Sequence, residues 1–143
     1  MAKYIRPTLK TKFHIDFDWW IQEKQNLRRA LLDQLCEECR AMVEADPEPR
    51  SMDWIDPITA QVHTIDQLWH LLRTQCAAKP DFLAANLPLT TLAFRLFIVN
   101  DNQPLTPAEI HQHLRTKPSQ TILKTIGGRK IYKGMRPVTP LLS

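Results

Sequence analysis

The chain has 143 residues, of which 43% are hydrophobic and 24% are charged, and this balance indicates a globular protein rather than a disordered one. A chain of this length is too short for an eight-stranded α/β barrel or a full dinucleotide-binding enzyme. Because glycine is rare at 3 residues and proline is common at 11, the composition disfavours glycine-rich phosphate-binding loops and predicts helices that end at prolines.

The net charge of +4 is distributed unevenly along the chain. Residues 102–143 contain seven lysines and arginines and one acid, whereas residues 1–101 contain 12 basic and 14 acidic residues. Within the first part, residues 33–66 hold nine acids and two arginines. A basic end on a mildly acidic body suggests a segment that binds a polyanion, although a solubilising face would have the same composition.

The apolar residues are spread along the chain, and no run of about 18 of them occurs. We therefore expect no membrane-spanning helix and no membrane partner. Residues 1–7 lack the apolar core of a signal peptide. These features predict a cytoplasmic protein, in which the three cysteines are thiols or metal ligands rather than disulfides.

The N-terminal region begins with apolar residues that alternate at Phe13, Ile15 and Phe17 and predict a short strand or extended arm. Asp18 then predicts the cap of a long helix over residues 19–45, which ends before two nearby prolines. The apolar residues of this helix recur every three or four positions and should face a core. They are Leu27, Leu31, Leu35, Cys39 and Met42.

The next segment, residues 52–63, predicts a small hairpin with a turn at Asp56-Pro57-Ile58-Thr59, although a loop would fit the same residues. Thr64 and Gln67 match a capping box and predict the start of a second helix, which ends by Lys79-Pro80. One face of this helix is apolar and should be buried. That face carries Ile65, Leu68, Trp69, Leu72 and Cys76.

From residue 89 onward, short helices are predicted between turns marked by prolines. An apolar helix over residues 91–100 is followed by a turn over residues 101–104 and a single extended residue, Leu105. Thr106 predicts a helix cap, because the proline that follows it suits the first helical position.

Two more helices and a hairpin complete the pattern. The helices are predicted over residues 108–114 and 119–126, and Gly127-Gly128 ends the second one. Residues 129–138 predict a basic β-hairpin that turns at Lys133-Gly134.

This order of elements resembles a winged helix-turn-helix domain. Residues 103–110 resemble the junction of its first two helices, residues 117–126 its recognition helix and residues 127–137 its wing. The resemblance implies a domain that binds DNA or, as many winged helices do, a protein. We therefore predict a mainly α fold with a small β content, in which an N-terminal helical region, residues 1–88, packs on a C-terminal winged-helix domain, residues 89–143.

The candidate nucleic-acid-binding residues are those that face outward when the apolar residues of the third helix face inward. They are short polar or basic residues without an acid among them, which suits a surface that lies against phosphates and base edges. Basic residues of the wing would contact the DNA backbone or minor groove. The predicted set is Ser119, Gln120, Thr121, Lys124, Thr125, Arg129, Lys130, Lys133 and Arg136.

A structural zinc ion is one interpretation of the cysteines. Cys36 and Cys39 form a C-x2-C step, Cys76 is the third cysteine, and His63 would complete a four-ligand set, in preference to His14 or His70. Thiols packed in the core, or a redox pair, would explain the same pattern, because free cysteine is commonly buried.

The sequence contains no catalytic motif of the common hydrolase, metalloprotease or nucleotide-binding types, so we predict a protein that is not an enzyme. The leading hypothesis is a small cytoplasmic protein that binds duplex DNA, with a role in transcription regulation. The alternative is a non-catalytic adaptor or small subunit of a larger, nucleic-acid-associated assembly. In that case the N-terminal region would mediate binding to a protein partner or a homodimer.

Overall fold

The computed structural model describes residues 6–48, 50–56 and 59–138, which form a mainly α fold with a small β content, as predicted. The expected turn residues Pro57 and Ile58 and both chain ends (residues 1–5 and 139–143) lie outside the described residues. The helices are α1 (Phe17–Gln22), α2 (Leu27–Leu32), α3 (Glu37–Ala45), α4 (Leu68–Thr74), α5 (Leu89–Val99), α6 (Pro107–His113) and α7 (Ser119–Ile126), with a 3₁₀ helix at Cys76–Ala78. The strands are β1 (Phe13–Ile15), β2 (Ser51–Ile55), β3 (Val62–Asp66) and β4 (Met135–Pro137).

The predicted long helix over residues 19–45 is wrong, because the chain breaks it into α1, α2 and α3. The first break occurs at Lys24, whose φ of 53° is left-handed, and Asn26 then caps α2 by accepting a hydrogen bond from the Arg29 N–H at 3.0 Å. The second break precedes Cys36, which is extended and caps α3. Asp16, and not Asp18, caps α1. The side-chain caps of Asp16 and Asn26 therefore outweigh the helical periodicity at α1 and α2, whereas α3 begins without a side-chain cap.

The breaks also change which residues of the predicted apolar stripe are buried. Leu31, Leu35 and Cys39 lie in the core, but Met42 is 57% exposed. Because α3 begins afresh after Cys36, its apolar residues no longer follow the phase set by α2.

The predicted hairpin is confirmed. β2 and β3 pair antiparallel, with Ser51 opposite Asp66 and Ile55 opposite Val62. The capping box at Thr64 is wrong, since Thr64 lies in β3 and Asp66 instead accepts a hydrogen bond from the Leu68 N–H at 3.0 Å. The apolar face predicted for the helix that follows is buried throughout.

The C-terminal helices begin and end within two residues of their predicted positions. Thr106 caps α6 in a reciprocal capping box with Glu109, and Pro107 occupies the first helical position, as expected. Buried residues of α5, α6 and α7 join those of α2 and α4 in one hydrophobic core. The N-terminal and C-terminal regions therefore pack together.

The predicted β-hairpin over residues 129–138 is shorter than expected. Lys133 and Gly134 both have positive φ and turn the chain tightly, and Tyr132 forms a bridge to Met135. β4, however, pairs with β1, whose Phe13 also bridges to Leu105. A strand from the N-terminal region therefore lies between the two β segments of the C-terminal region.

The turn after α5 joins the two regions. Asp101 accepts hydrogen bonds from the indole N–H groups of Trp54 and Trp69 at 3.0 and 3.1 Å. The buried Asn102 side chain accepts from the Ile15 N–H at 2.7 Å and donates to the Ile15 carbonyl at 2.8 Å. Both turn residues have left-handed φ angles, which Asp and Asn tolerate. None of the helices in the described part of the chain is long and apolar enough to cross a membrane.

Candidate functional site

The first candidate site is the exposed side of α7. Ile122 and Ile126 are buried, so the helix presents Gln120, Thr121 and Lys124 to solvent. No aspartate or glutamate occurs in the sequence after Glu109, and that residue is engaged in the α6 capping box. The outward face of α7 is thus polar and basic, as predicted.

A groove of about 610 Å³ runs along this face, between α7, the loop after it and the N-terminal arm. Gln120, Lys124 and Arg129 border it, so the structure brings these three predicted residues together. Arg6 borders the same groove from the N-terminal arm. Sequence reasoning missed Arg6, although Arg6, Lys10 and Lys12 form a basic stretch that signalled such a role.

The remaining predicted residues have other partners or are less exposed. Ser119 is half-buried, and the half-buried Thr125 donates its hydroxyl to the Thr121 carbonyl at 2.8 Å. The Lys133 ammonium lies 5.6 Å from the centre of the Phe94 ring. The exposed Lys130 lies 5.0 Å from the centre of the Tyr132 ring.

Arg136 has a structural partner. Its Nε and Nη2 atoms lie 2.7 and 2.5 Å from Asp16 Oδ2, which ties β4 to the start of α1. Arg136 therefore has a direct ionic role inside the fold.

The second candidate site is a cluster of three cysteine sulfurs. Cys36 caps α3, Cys39 lies in the first turn of that helix, and Cys76 begins the 3₁₀ helix that follows α4. The three sulfurs lie within 4.8 Å of one another. Sequence spacing predicted the convergence of Cys36 and Cys39, but the break in the helix before Cys36 is what directs both toward Cys76.

The three thiols differ in pKa, because burial and polar contacts act on each of them differently. Burial works to raise the pKa of Cys36, but the polar contacts of its sulfur with the Cys39 backbone and with the Cys76 and Cys39 thiols outweigh it, so this pKa lies below its ordinary value. Burial raises the pKa of Cys39 to about 12. Burial also raises the pKa of Cys76. Cys36 is therefore the thiol that ionises most readily.

His63, the predicted fourth ligand, is not part of the cluster. It lies in β3 with its ring 6.0 Å from the Trp54 ring, and among the described residues the group that converges consists of the three cysteines alone. His63 instead borders a polar cavity of about 320 Å³ together with His14 and Asp56. Burial lowers the pKa of His14 there, against the opposing effect of Asp16 and Asp56.

An open cleft of about 770 Å³ adjoins the cysteines. Cys36 and Cys76 border it, together with the cations Lys79 and Arg95. Lys79 pairs with Glu38 at 2.8 Å, and that contact, more than any other, raises the pKa of Lys79. The Arg95 guanidinium donates to the Gln34 side chain and to the Phe82 carbonyl at 2.8 and 2.9 Å.

Comparison with known proteins assigns the chain to no family. No family model matches it, and no curated protein or solved structure is significantly similar to it.

Proposed function

We propose that this chain is a cytoplasmic transcription regulator that binds duplex DNA through α7 and residues 127–130. One observation carries the proposal: Gln120, Lys124 and Arg129 border a single groove with Arg6, in a part of the chain that has no acid after Glu109. Positive charge in a segment without aspartate or glutamate is what a phosphate backbone attracts. The unbridged cysteines fit the reducing environment of the cytoplasm.

The order of elements supports a winged helix-turn-helix as the architecture of this surface. α5, the extended Leu105, α6 and α7 follow one another, and a tight turn at Lys133-Gly134 leads into β4. In this proposal α7 enters the major groove. Gln120 pairs with an adenine edge, and Lys124 contacts a guanine or a phosphate.

Fluorescence anisotropy with mixed-sequence duplex DNA at several salt concentrations tests the proposal. We expect micromolar binding that weakens steeply with salt, because each phosphate contact releases counterions. The double variant Lys124→Ala/Arg129→Ala should bind more weakly and reduce the slope of log K against log salt by about 1 to 2. The matched control is Arg29→Ala/Arg50→Ala, which removes the same charge from exposed ion pairs of the N-terminal half.

The control separates a defined surface from a general charge effect. If both double variants weaken binding equally, the net charge and not the α7 groove is responsible, and the proposal fails. Absence of binding at low salt would also refute it.

A specific observation favours a second candidate, an adaptor that binds protein through the β2–β3 hairpin. Ile55 and Val62 pair across the strands and are 64% and 63% exposed. Adjacent exposed apolar side chains favour a contact with another protein, because that contact would remove them from water. Analytical ultracentrifugation of the wild type and of Ile55→Thr/Val62→Thr tests whether the patch joins two copies of the chain, since threonine retains strand propensity. A wild-type monomer would exclude the homodimer.

A further inference from the structure

We propose that Cys36, Cys39 and Cys76 bind one zinc ion through three thiolates and leave its fourth coordination position to water from the adjoining cleft. This site is independent of the proposed DNA-binding surface, because none of its ligands belongs to α7 or the loop after it.

The geometry matches the requirements of a metal bound by three sulfurs. Zinc–thiolate bonds of about 2.3 Å in a tetrahedral site place the sulfurs about 3.8 Å apart. The three sulfurs already lie within 4.8 Å of one another, and the Cys36–Cys76 pair is 3.1 Å apart. Movements of about 1 Å therefore suffice to admit the ion.

Convergence of the sulfurs distinguishes this site from thiols that merely fill the core. The ligands come from the cap of α3, its first turn and a 3₁₀ helix 40 positions away. Packing alone requires each thiol to contact apolar neighbours, and it gives no reason for all three sulfurs to meet at one point. Soft thiolate ligands at one point select a metal such as zinc over magnesium or calcium.

A backbone group supports charge on one of the sulfurs. The Cys36 N–H donates to Cys76 Sγ at 3.1 Å. Hydrogen bonds of this kind orient metal ligands from outside the coordination shell and stabilise their ionised form.

The cleft gives the sulfurs access to solvent. A zinc ion with three thiolates carries a net charge of −1. The cations Lys79 and Arg95 border the cleft beside Cys36 and Cys76, but the acids Glu37, Glu38 and Asp81 border it as well, so water in the cleft is needed to solvate this charge. Since no histidine or carboxylate among the described residues converges with the cysteines, water fills the fourth position.

Titration of the reduced, full-length protein with Co²⁺ is the first test. We expect one Co²⁺ per chain, with the visible absorption of tetrahedral cobalt and a thiolate charge-transfer band, both displaced by Zn²⁺. Cys36→Ser should weaken binding by more than about 100-fold, since even groups outside the coordination shell contribute about 10- to 100-fold. His63→Gln should bind cobalt as the wild type does, because His63 lies in β3 away from the cluster.

A second measurement does not depend on any variant folding. X-ray absorption at the zinc edge of the wild-type complex should give three sulfurs at about 2.3 Å and one oxygen at about 2.0 to 2.2 Å. Imidazole scattering in that spectrum, or loss of cobalt binding in His63→Gln, would overturn the open fourth position. A folded, reduced wild type that binds neither metal would overturn the site itself.

Discussion

The α7 surface and the cysteine cluster are built in different ways. The surface residues Gln120, Lys124 and Arg129 lie within ten consecutive positions, and one short helix with its following loop presents them. The cluster instead joins Cys36 to Cys76 across 40 positions, at points where helices begin or end. The surface therefore needs little more than a folded helix, whereas the cluster requires the packing of α3 against the segment after α4.

The α7 surface and the cysteine cluster also differ in charge and in exposure to solvent. The exposed α7 face is basic and free of acids, while the cluster is a mostly buried group in the acidic part of the chain. A surface of exposed charges acts at a distance and is screened by salt, but a buried thiol group responds to packing and solvent access. Substitutions can test this comparison. Some change the contacts that join the N-terminal and C-terminal regions, and others change the helix ends within each region.

The largest expected effect comes from the turn after α5, which joins the N-terminal and C-terminal regions. Asn102→Ala removes the side chain that satisfies both backbone groups of Ile15 in β1 and leaves them unpaired in a buried position. We expect the free energy of unfolding to fall by about 2 to 4 kcal/mol, because a buried unsatisfied polar group costs about 1 to 3 kcal/mol. Urea denaturation measures this loss.

The neighbouring exposed residue supplies the control for that change. Gln103→Ala should alter the free energy of unfolding by less than about 0.5 kcal/mol, as surface substitutions usually do. Equal losses in the two variants would mean that Asn102 does not join the regions.

A second effect depends on pH and on His14, also in β1. Burial lowers the pKa of His14 from its ordinary value of 6.5, so the folded state resists protonation more than the unfolded state does. Stability is therefore complete above about pH 6.5 and falls as the pH drops below it, by at most about 1.4 kcal/mol per pH unit for one proton. His14→Gln should flatten this slope in urea titrations between about pH 5 and 7.

The slope of the wild type over the same pH range is the reference for His14→Gln. A slope that persists in His14→Gln would show that other groups cause the acid sensitivity.

A third effect compares one helix cap in each region. Asn26 caps α2 and Thr106 caps α6, each through a side-chain oxygen that accepts a backbone N–H. Replacing either residue with alanine should lower the free energy of unfolding by about 1 kcal/mol, measured by thermal or urea denaturation. Alanine inside a continuous helix would be stabilising. A stabilising Asn26→Ala would therefore mean that α1 and α2 form one helix and that Asn26 is not a cap comparable to Thr106.

Caps also explain how much of the fold could be predicted from the sequence. In the C-terminal region every helix begins after a proline or a threonine cap, and these strong local signals allowed boundaries to be predicted to within two residues. In the N-terminal region the apolar periodicity runs through Asn26 and Cys36 without a proline, so periodicity alone could not reveal the breaks. Asn26 was the available signal for the first of them.

The candidate sites follow the same division. The exposed face of α7 was predictable because it depends on the phase of one amphipathic helix. The sequence pattern grouped Cys36, Cys39 and Cys76 as ligands of one zinc ion, and the structure brings their sulfurs together. It also indicated His63 as the fourth ligand, which spacing along the chain could not test. Its strand pairs with β2, and that long-range pairing places His63 beside Trp54. The winged-helix arrangement and DNA binding stay predictions.

The smallest expected effect tests the break between α1 and α2 most directly. The change in the free energy of unfolding has one sign if the chain breaks at Lys24 and the opposite sign if the helix is continuous. Lys24 is exposed and has a φ of 53°, which a glycine adopts without steric cost. Lys24→Gly should therefore raise the free energy of unfolding by about 0.5 kcal/mol, the favourable backbone conformation being partly offset by the greater entropy of the unfolded chain. In a continuous helix the same glycine would lower it by about 1 kcal/mol. Urea denaturation resolves the two signs, and a loss of stability would mean that α1 and α2 form one continuous helix through Lys24.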